Sequence, residues 1–132
     1  MRHKSKKFVV SILAVVLLTM LSVFTVHAAS NITISPITIG VGMVYYWWDN
    51  GNGFDLTENQ GMSMQVNFNN AYTVNSGYYD VASEVHHAKK LGHTGSSVSF
   101  YAQMPRTSLY RGYVANMSDV PCGVTGGHIN VN

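Results

Sequence analysis

The chain has 132 residues and contains one cysteine, three prolines and few charged residues, at 11% of the total. A single cysteine, Cys122, excludes a disulfide within the chain. We therefore expect a free and buried thiol at Cys122, with a disulfide to a second chain as the alternative. Any stable fold must then come from the packing of side chains and from backbone pairing.

The N-terminal segment is organised like an export signal. Residues 1–7 contain four Lys or Arg residues and no acid, residues 8–26 are apolar apart from two serines and two threonines, and Val26-His27-Ala28 follows. A basic N-terminal region, an apolar region and a cleavage site with a small residue are typical of a Sec signal peptide. We predict a signal peptide over residues 1–28 and one secreted, extracellular domain over residues 29–132. An uncleaved anchor is the alternative, because the apolar stretch approaches the ~20 residues that span a bilayer.

Removal of residues 1–28 changes the charge balance. The complete chain has a formal net charge of +2, but four of its eight basic residues lie in the predicted signal peptide. The four basic residues that remain stand against six acids, which gives a net charge of −2 with neutral histidines. This balance excludes a basic field over the whole domain, so we expect no nucleic-acid partner.

The rest of the sequence reads as short β-strands separated by turns. Apolar and polar residues alternate without a break over Met62–Phe68, which is the pattern of a half-buried strand. The segment Ile32–Ile39 alternates in two parts around Pro36, as in an edge strand with a bend. Seven or eight such strands predict an all-β fold, a small antiparallel β-sandwich or barrel.

Turn residues divide the predicted strands. Turns are expected at Asp49–Gly53, at Asn69-Asn70 and at Ser76-Gly77, where Asn, Asp and Gly tolerate turn conformations. A strand over Tyr78–His86 and a basic, histidine-rich loop over His86–Ser97 follow from the same reasoning. A helical turn around residues 83–91 is the alternative for that part of the chain.

The candidate binding surface combines this loop with two tryptophans. Adjacent strand residues point to opposite faces, so only part of the aromatic segment before Asp49 faces outward. An outward tryptophan can stack on sugar rings or lie in a membrane interface. Clustered lysines and histidines give a local positive patch for anionic groups. We predict contact with a bacterial cell-envelope component through Trp47, Trp48, His86, His87, Lys89, Lys90 and His93.

Motifs for catalysis are missing from the sequence. There is no Gly-x-Ser-x-Gly elbow, no Walker loop and no dinucleotide fingerprint, and the carboxylates are scattered. We therefore expect no enzyme, no catalytic residues and no cofactor. A zinc or copper site built from His86, His87, His93 and His128 is a minor alternative. His86 and His87 alternate in direction along a strand, so no metal site is predicted.

Two patches of the sequence resemble a known family. The pattern Ser83-x-x-His86-His87-x-Lys89-x-x-x-His93-x-x-Ser96-Ser97-Val98 is similar to the Ser/Tyr, His, Lys, His, Ser, Val progression of the lactococcin 972 family of secreted bacteriocins. The earlier Gly40-Val41-Gly42 and Trp47-Trp48-x-Asn50-Gly51 resemble the Gly-rich, Trp-x-x-Gly opening of that family. The two patches are further apart here, and the tail with Cys122 departs from the pattern.

The resemblance implies a small, Sec-exported, disulfide-free β-protein of Gram-positive bacteria. Its implied function is that of an antimicrobial toxin that acts on the envelope of competing Gram-positive bacteria without a cofactor. A secreted, non-enzymatic module that binds a cell surface or a carbohydrate is the alternative. In both cases the membrane is involved only through the signal segment before cleavage.

Overall fold

The structure, a computed structural model, describes residues 30–49 and 51–132. The predicted signal peptide, residues 1–28, lies outside the described residues. The described part of the chain forms eight β-strands, all paired antiparallel, as the sequence predicts. It offers no apolar helix that could cross a membrane. The strands are β1 (Ser30–Ile34), β2 (Ile37–Ile39), β3 (Val44–Trp47), β4 (Phe54–Leu56), β5 (Gly61–Asp80), β6 (Val85–Gln103), β7 (Ser108–Asn116) and β8 (Cys122–Val131).

Strands β5 and β6 form a hairpin much longer than the sequence predicts, with 20 and 19 residues. The predicted turns at Asn69-Asn70 and Ser76-Gly77 are wrong, because both pairs lie inside β5. The pairing of β5 with β6 shifts register at these places. A β-bulge bends a strand without ending it, so residues with turn propensity are accommodated within one continuous strand.

The basic, histidine-rich segment is also strand. The predicted strand over Tyr78–His86 ends at Asp80, a turn covers residues 81–84, and β6 then starts at Val85. The predicted loop over His86–Ser97 and the alternative helical turn are therefore both wrong. Backbone pairing with β5 along this segment outweighs the weak local preference of its Lys and Gly residues.

The other partner of β5 changes along its length. Residues 62–68 of β5 pair with β8, whereas residues 74–80 pair with β7. Strands β1 and β2 extend the sheet beyond β8, and β3 and β4 extend it beyond β7. We refer to the part containing β8 as the β8 section and to the part containing β7 as the β7 section. The bent hairpin joins them.

The two sections pack face to face around one core. A Cβ atom on Gly112 of β7 would lie 2.6 Å from Met64 Sδ and 2.9 Å from Ile129 Cδ1, so the sections approach closely at this glycine. The strand alternation predicted over Met62–Phe68 is confirmed, since its apolar residues are buried and Gln65 is exposed. The predicted edge strand around Pro36 is confirmed as β1 and β2, whose only strand partner within residues 30–49 and 51–132 is β8. The predicted turn at Asp49–Gly53 lies between β3 and β4, with Asn50 outside the described residues.

Cys122 is free and fully buried at the start of β8. Burial raises the pKa of its thiol to about 11. The thiolate is the reactive form, so both the burial and the raised pKa make Cys122 unreactive in the native state.

We expect Cys122 to react with a soluble thiol reagent at mildly alkaline pH only after the chain unfolds. Labelling is followed by mass spectrometry in native buffer and in guanidinium chloride. Rapid and complete labelling of a protein that keeps its native circular dichroism spectrum would show that the thiol is accessible.

Gly77 allows the close approach of β6 to β5. A Cβ atom there would overlap the backbone oxygen of His87, and Gly77 lies at a register shift of the hairpin. Gly77→Ala is expected to lower the free energy of unfolding by about 1–3 kcal/mol, because the backbone must move to make room. Urea denaturation measures this change.

Gly92→Ala is the matched control for Gly77→Ala within the same hairpin. A Cβ at Gly92 meets nothing within 4 Å, and its φ is +58°. Only the backbone cost of a left-handed conformation, about 1 kcal/mol, is therefore expected. A smaller loss for Gly77→Ala than for Gly92→Ala contradicts the steric explanation.

Candidate functional site

Aromatic side chains from four strands meet on the outer face of the β7 section. The centre of the His86 ring lies 4.7 Å from that of Tyr79 and 4.9 Å from that of Tyr113. The Tyr46 and Tyr79 rings are 5.2 Å apart. Tyr113 is only 3% exposed, although its place in β7 directs it to the side opposite the core residues Tyr110 and Val114. Its neighbours therefore cover it from the solvent side.

A hydrogen bond joins two members of this cluster. The Tyr46 hydroxyl lies 2.7 Å from His86 Nε2, and the tautomer of His86 decides which atom donates. Burial raises the pKa of Tyr46, and the nearby Tyr79 adds to the increase while Arg111 opposes it. Tyr46 is therefore a neutral phenol at physiological pH, and its hydroxyl can both donate and accept a hydrogen bond.

Trp48 and Arg111 extend the cluster towards the turn between β3 and β4. The guanidinium carbon of Arg111 lies 4.0 Å from the centre of the Trp48 ring, a cation–π contact. Trp48 Nε1 donates to the Gly51 oxygen at 2.9 Å, and Arg111 Nε donates to the Asn52 oxygen at 2.7 Å. These bonds hold both side chains in place, while Trp48 remains 38% exposed. We call the complete surface the aromatic face: Tyr46, Trp48, Tyr79, His86, Arg111 and Tyr113.

A concavity of about 480 Å³ lies beside the aromatic face. The wall includes Gly51 and Asn52, whose carbonyl groups hold Trp48 and Arg111. Ser30 and Asp49 also line it, and the Ser30 hydroxyl donates to Asp49 at 2.9 Å. The aromatic face and this concavity therefore share the turn between β3 and β4.

The structure brings two of the predicted binding residues, Trp48 and His86, onto the aromatic face. Trp47 is not part of a surface, because it is only 8% exposed and belongs to the core cluster. Its ring contacts Tyr45 at 4.9 Å. Adjacent residues of a strand point to opposite faces, so only one of Trp47 and Trp48 can contribute to a binding surface.

The remaining predicted residues lie along β6 but not together. The His87 ring stacks on Tyr78 at 4.7 Å, away from the cluster that contains His86. Lys89 and Lys90 are exposed, and His93 Nε2 lies 2.9 Å from the Ser97 oxygen. Within residues 30–49 and 51–132, no three His, Cys, Asp or Glu side chains are close enough together to hold a metal ion.

Lys89 and Lys90 have a structural effect that does not depend on a ligand. Among the residues that the structure describes, strand β6 pairs only with β5, so within this part of the chain its other side presents unpaired backbone groups. Charged side chains on an edge strand oppose pairing with a second chain. The two lysines therefore protect this edge, in addition to any contact with an anion.

No pattern in the sequence indicated that Tyr79, Arg111 and Tyr113 would join this surface. Tyr79 pairs in register with both His86 and Arg111, and Tyr46 pairs with Tyr113. These partners are distant in sequence, so only the register of four strands brings them together. A single sequence contains no direct signal for such a register.

Asp80 is a second residue whose role sequence reasoning missed. Its side chain is 2% exposed and accepts hydrogen bonds from Arg106 Nε and the Ser108 hydroxyl, both at 2.8 Å. Further hydrogen bonds come from the backbone of the turn over residues 81–84. Burial by itself would raise the pKa of Asp80, but these hydrogen bonds hold it well below its ordinary value. Asp80 thus fixes the turn that leads into His86.

We expect Asp80→Asn to destabilise the fold by roughly 2 kcal/mol at neutral pH, since charge-assisted hydrogen bonds are lost. Because the pKa of Asp80 is lowered in the folded state, its contribution is complete above the unfolded value of about 4. That contribution decreases as the pH falls below this value towards the folded pKa. The wild-type unfolding free energy should therefore fall more steeply than that of Asp80→Asn in acid.

Chemical denaturation at several pH values measures this difference. Asp119→Asn, at an exposed carboxylate, is the control and should follow the wild type. Parallel curves for the wild type and Asp80→Asn would contradict the assigned role of the Asp80 carboxylate.

No protein-family model and no curated protein matches this chain. Among solved structures, it is similar to a chain of the Bacillus endospore appendages, which form a novel family of disulfide-linked pili. The identity is 12% and the TM-score is 0.49. The similarity covers 79% of this chain and 84% of that one.

Proposed function

We propose that this protein is a secreted, non-enzymatic protein that binds an anionic glycan of the bacterial envelope through the aromatic face. The observation that carries the proposal is the clustering of Tyr46, Trp48, Tyr79, His86 and Arg111 on one outer sheet face. The antibacterial action implied by the lactococcin 972 resemblance is part of the proposal, with binding as its first step. A binding module without toxicity is the alternative.

The chemistry of the aromatic face suits sugar rings. Aromatic side chains offer flat apolar surfaces that stack on the apolar side of a pyranose, while phenol and imidazole groups hydrogen-bond its hydroxyls. The side chains already pack against one another, with ring centres 4.7–5.7 Å apart around His86. Groups that are ordered before binding lose little conformational entropy when the ligand arrives.

The distribution of charge favours an anionic ligand. Four basic residues lie outside the predicted signal peptide, and Arg106 is bonded to the buried Asp80. Arg111 lies on the aromatic face, and Lys89 and Lys90 lie on the same strand as His86. The acids outnumber the bases in the domain as a whole. Arg111, Lys89 and Lys90 therefore form a local positive region that attracts anions within a weakly acidic protein.

Binding of purified residues 29–132 to isolated Gram-positive cell walls tests the proposal. Trp48→Ala and Tyr79→Ala should each weaken co-sedimentation about tenfold, as expected for the loss of one stacking contact. Tyr45→Ala is the matched control, because Tyr45 is exposed and contacts Trp47 rather than the aromatic face. Unchanged binding by both folded variants would rule out the aromatic face as the contact surface.

A second comparison tests the charge of the ligand. The double variant Lys89→Glu/Lys90→Glu should bind walls more weakly than the wild type. Walls from which the anionic polymers have been extracted should bind the wild type poorly. Equal binding to extracted and intact walls would contradict an anionic ligand.

Growth inhibition separates the two functional alternatives. Inhibition of Gram-positive strains by the purified protein, lost in Trp48→Ala and Tyr79→Ala, supports an antimicrobial toxin. Wall binding without inhibition across a broad panel of strains supports the binding module.

A further inference from the structure

The outer face of the β8 section is chemically unlike the aromatic face. Two rows of outward side chains cross β1, β8, β5 and β6, and none of the eight is Lys, Arg, Asp or Glu. All four side chains of the first row are polar or aromatic, and three of the four are strongly exposed. The rows are Asn31, Asn130, Ser63 and Tyr101, and then Thr33, His128, Gln65 and Ser99.

The first of these rows borders a concavity of about 290 Å³. Val131 and Asn132, at the end of β8 and just after it, complete its lining. A Cβ atom on the nearby Gly61 would lie 2.7 Å from the Tyr101 hydroxyl and 2.9 Å from Asn132 Oδ1, so a side chain there would displace two of the lining groups. The volume is near the lower end of the range for small-molecule pockets, about 300 Å³, which suits a short stretch of a chain-like ligand.

The polar groups around this concavity are available to a ligand. The side chains of Asn31, Tyr101 and Asn130 are exposed to solvent, and that of Ser63 is half-buried. Tyr101 is 63% exposed, so its ring is a large aromatic surface in contact with solvent. Two amides, a hydroxyl and an exposed ring therefore converge on one site.

We propose that this concavity is a second binding site, specific for an uncharged glycan. Each asparagine amide both donates and accepts hydrogen bonds, which matches neighbouring hydroxyls on a sugar ring. The Tyr101 ring stacks on the apolar side of the same or the next sugar. With no charged side chain in either row, the site gives no electrostatic preference for an anion.

This site is independent of the proposed function, because it uses other residues and another ligand chemistry. The core separates the β8 section from the β7 section, so the two binding faces point away from each other. A protein with two such faces connects an anionic polymer on one side to an uncharged glycan on the other.

Nuclear magnetic resonance titration of ¹⁵N-labelled residues 29–132 tests the second site. The probes are two uncharged tetrasaccharides, chitotetraose and maltotetraose. Saturable shifts are expected for the backbone signals of Asn31, Ser63, Tyr101 and Asn130 with at least one probe. Added salt should leave the affinity unchanged, because no charge pair is formed.

Variants connect the shifts to the site. Tyr101→Ala and Asn130→Ala should each weaken binding about tenfold, whereas Tyr101→Phe keeps the ring and should retain most of it. Trp48→Ala should have no effect, so failure of the aromatic face and failure of this site are seen separately. The spectrum of each free variant shows whether it is folded.

Three results would overturn the second site. One is the absence of saturable shifts with both tetrasaccharides, and another is a set of shifts confined to the aromatic face. The third is unchanged affinity in the folded Tyr101→Ala and Asn130→Ala variants.

Discussion

The rest of the molecule depends on one backbone pairing, the bent hairpin of β5 and β6. The first half of this hairpin contributes Ser63 and Tyr101 to the β8 section, and the second half contributes Tyr79 and His86 to the β7 section. Both candidate binding faces are therefore built on the same two strands. The bulges between the halves turn a single ribbon into two facing layers, and the core fills the space between them. A change in register on one half would move side chains on both faces, because side chains alternate with a period of two.

Two buried polar side chains hold the connections between strands in place. Asp80 closes the turn between β5 and β6. Asn116, at 1% exposure, donates to the Ile39 oxygen at 3.0 Å and to the Val120 oxygen at 2.9 Å, and it accepts from the Ser118 amide. Asn116 thereby joins the end of β2 to the connection between β7 and β8. Among the described residues, no buried side-chain nitrogen or oxygen lacks a hydrogen-bond partner. Burial of a polar group costs free energy unless it is hydrogen-bonded, so both residues have structural roles.

Local sequence patterns were sufficient to predict the class of fold and several strands. Alternation over Met62–Phe68 and the proline between β1 and β2 report which face is buried, and this information is local. The turns expected at Asn69-Asn70 and Ser76-Gly77 are register shifts within β5 instead, because backbone pairing with β6 overrides the turn preference of single residues. For the candidate site, the sequence indicated Trp48 and His86. It could not indicate Tyr79, Arg111 and Tyr113, which reach the same surface only through the register of strands far apart in the chain.

The burial of Cys122 affects the lifetime of the folded protein in an oxidising medium. In an oxidising medium the folded chain does not form a disulfide through this residue, because the thiol is inaccessible and protonated. An unfolded chain exposes the same thiol and can couple to a second unfolded chain, which then does not refold as a monomer. Where this coupling is faster than refolding, unfolding becomes irreversible, and the lifetime of the protein is then set by its unfolding rate rather than by its equilibrium free energy of unfolding. Interactions that slow the separation of β8 from β1, β2 and β5 therefore determine how long the protein persists.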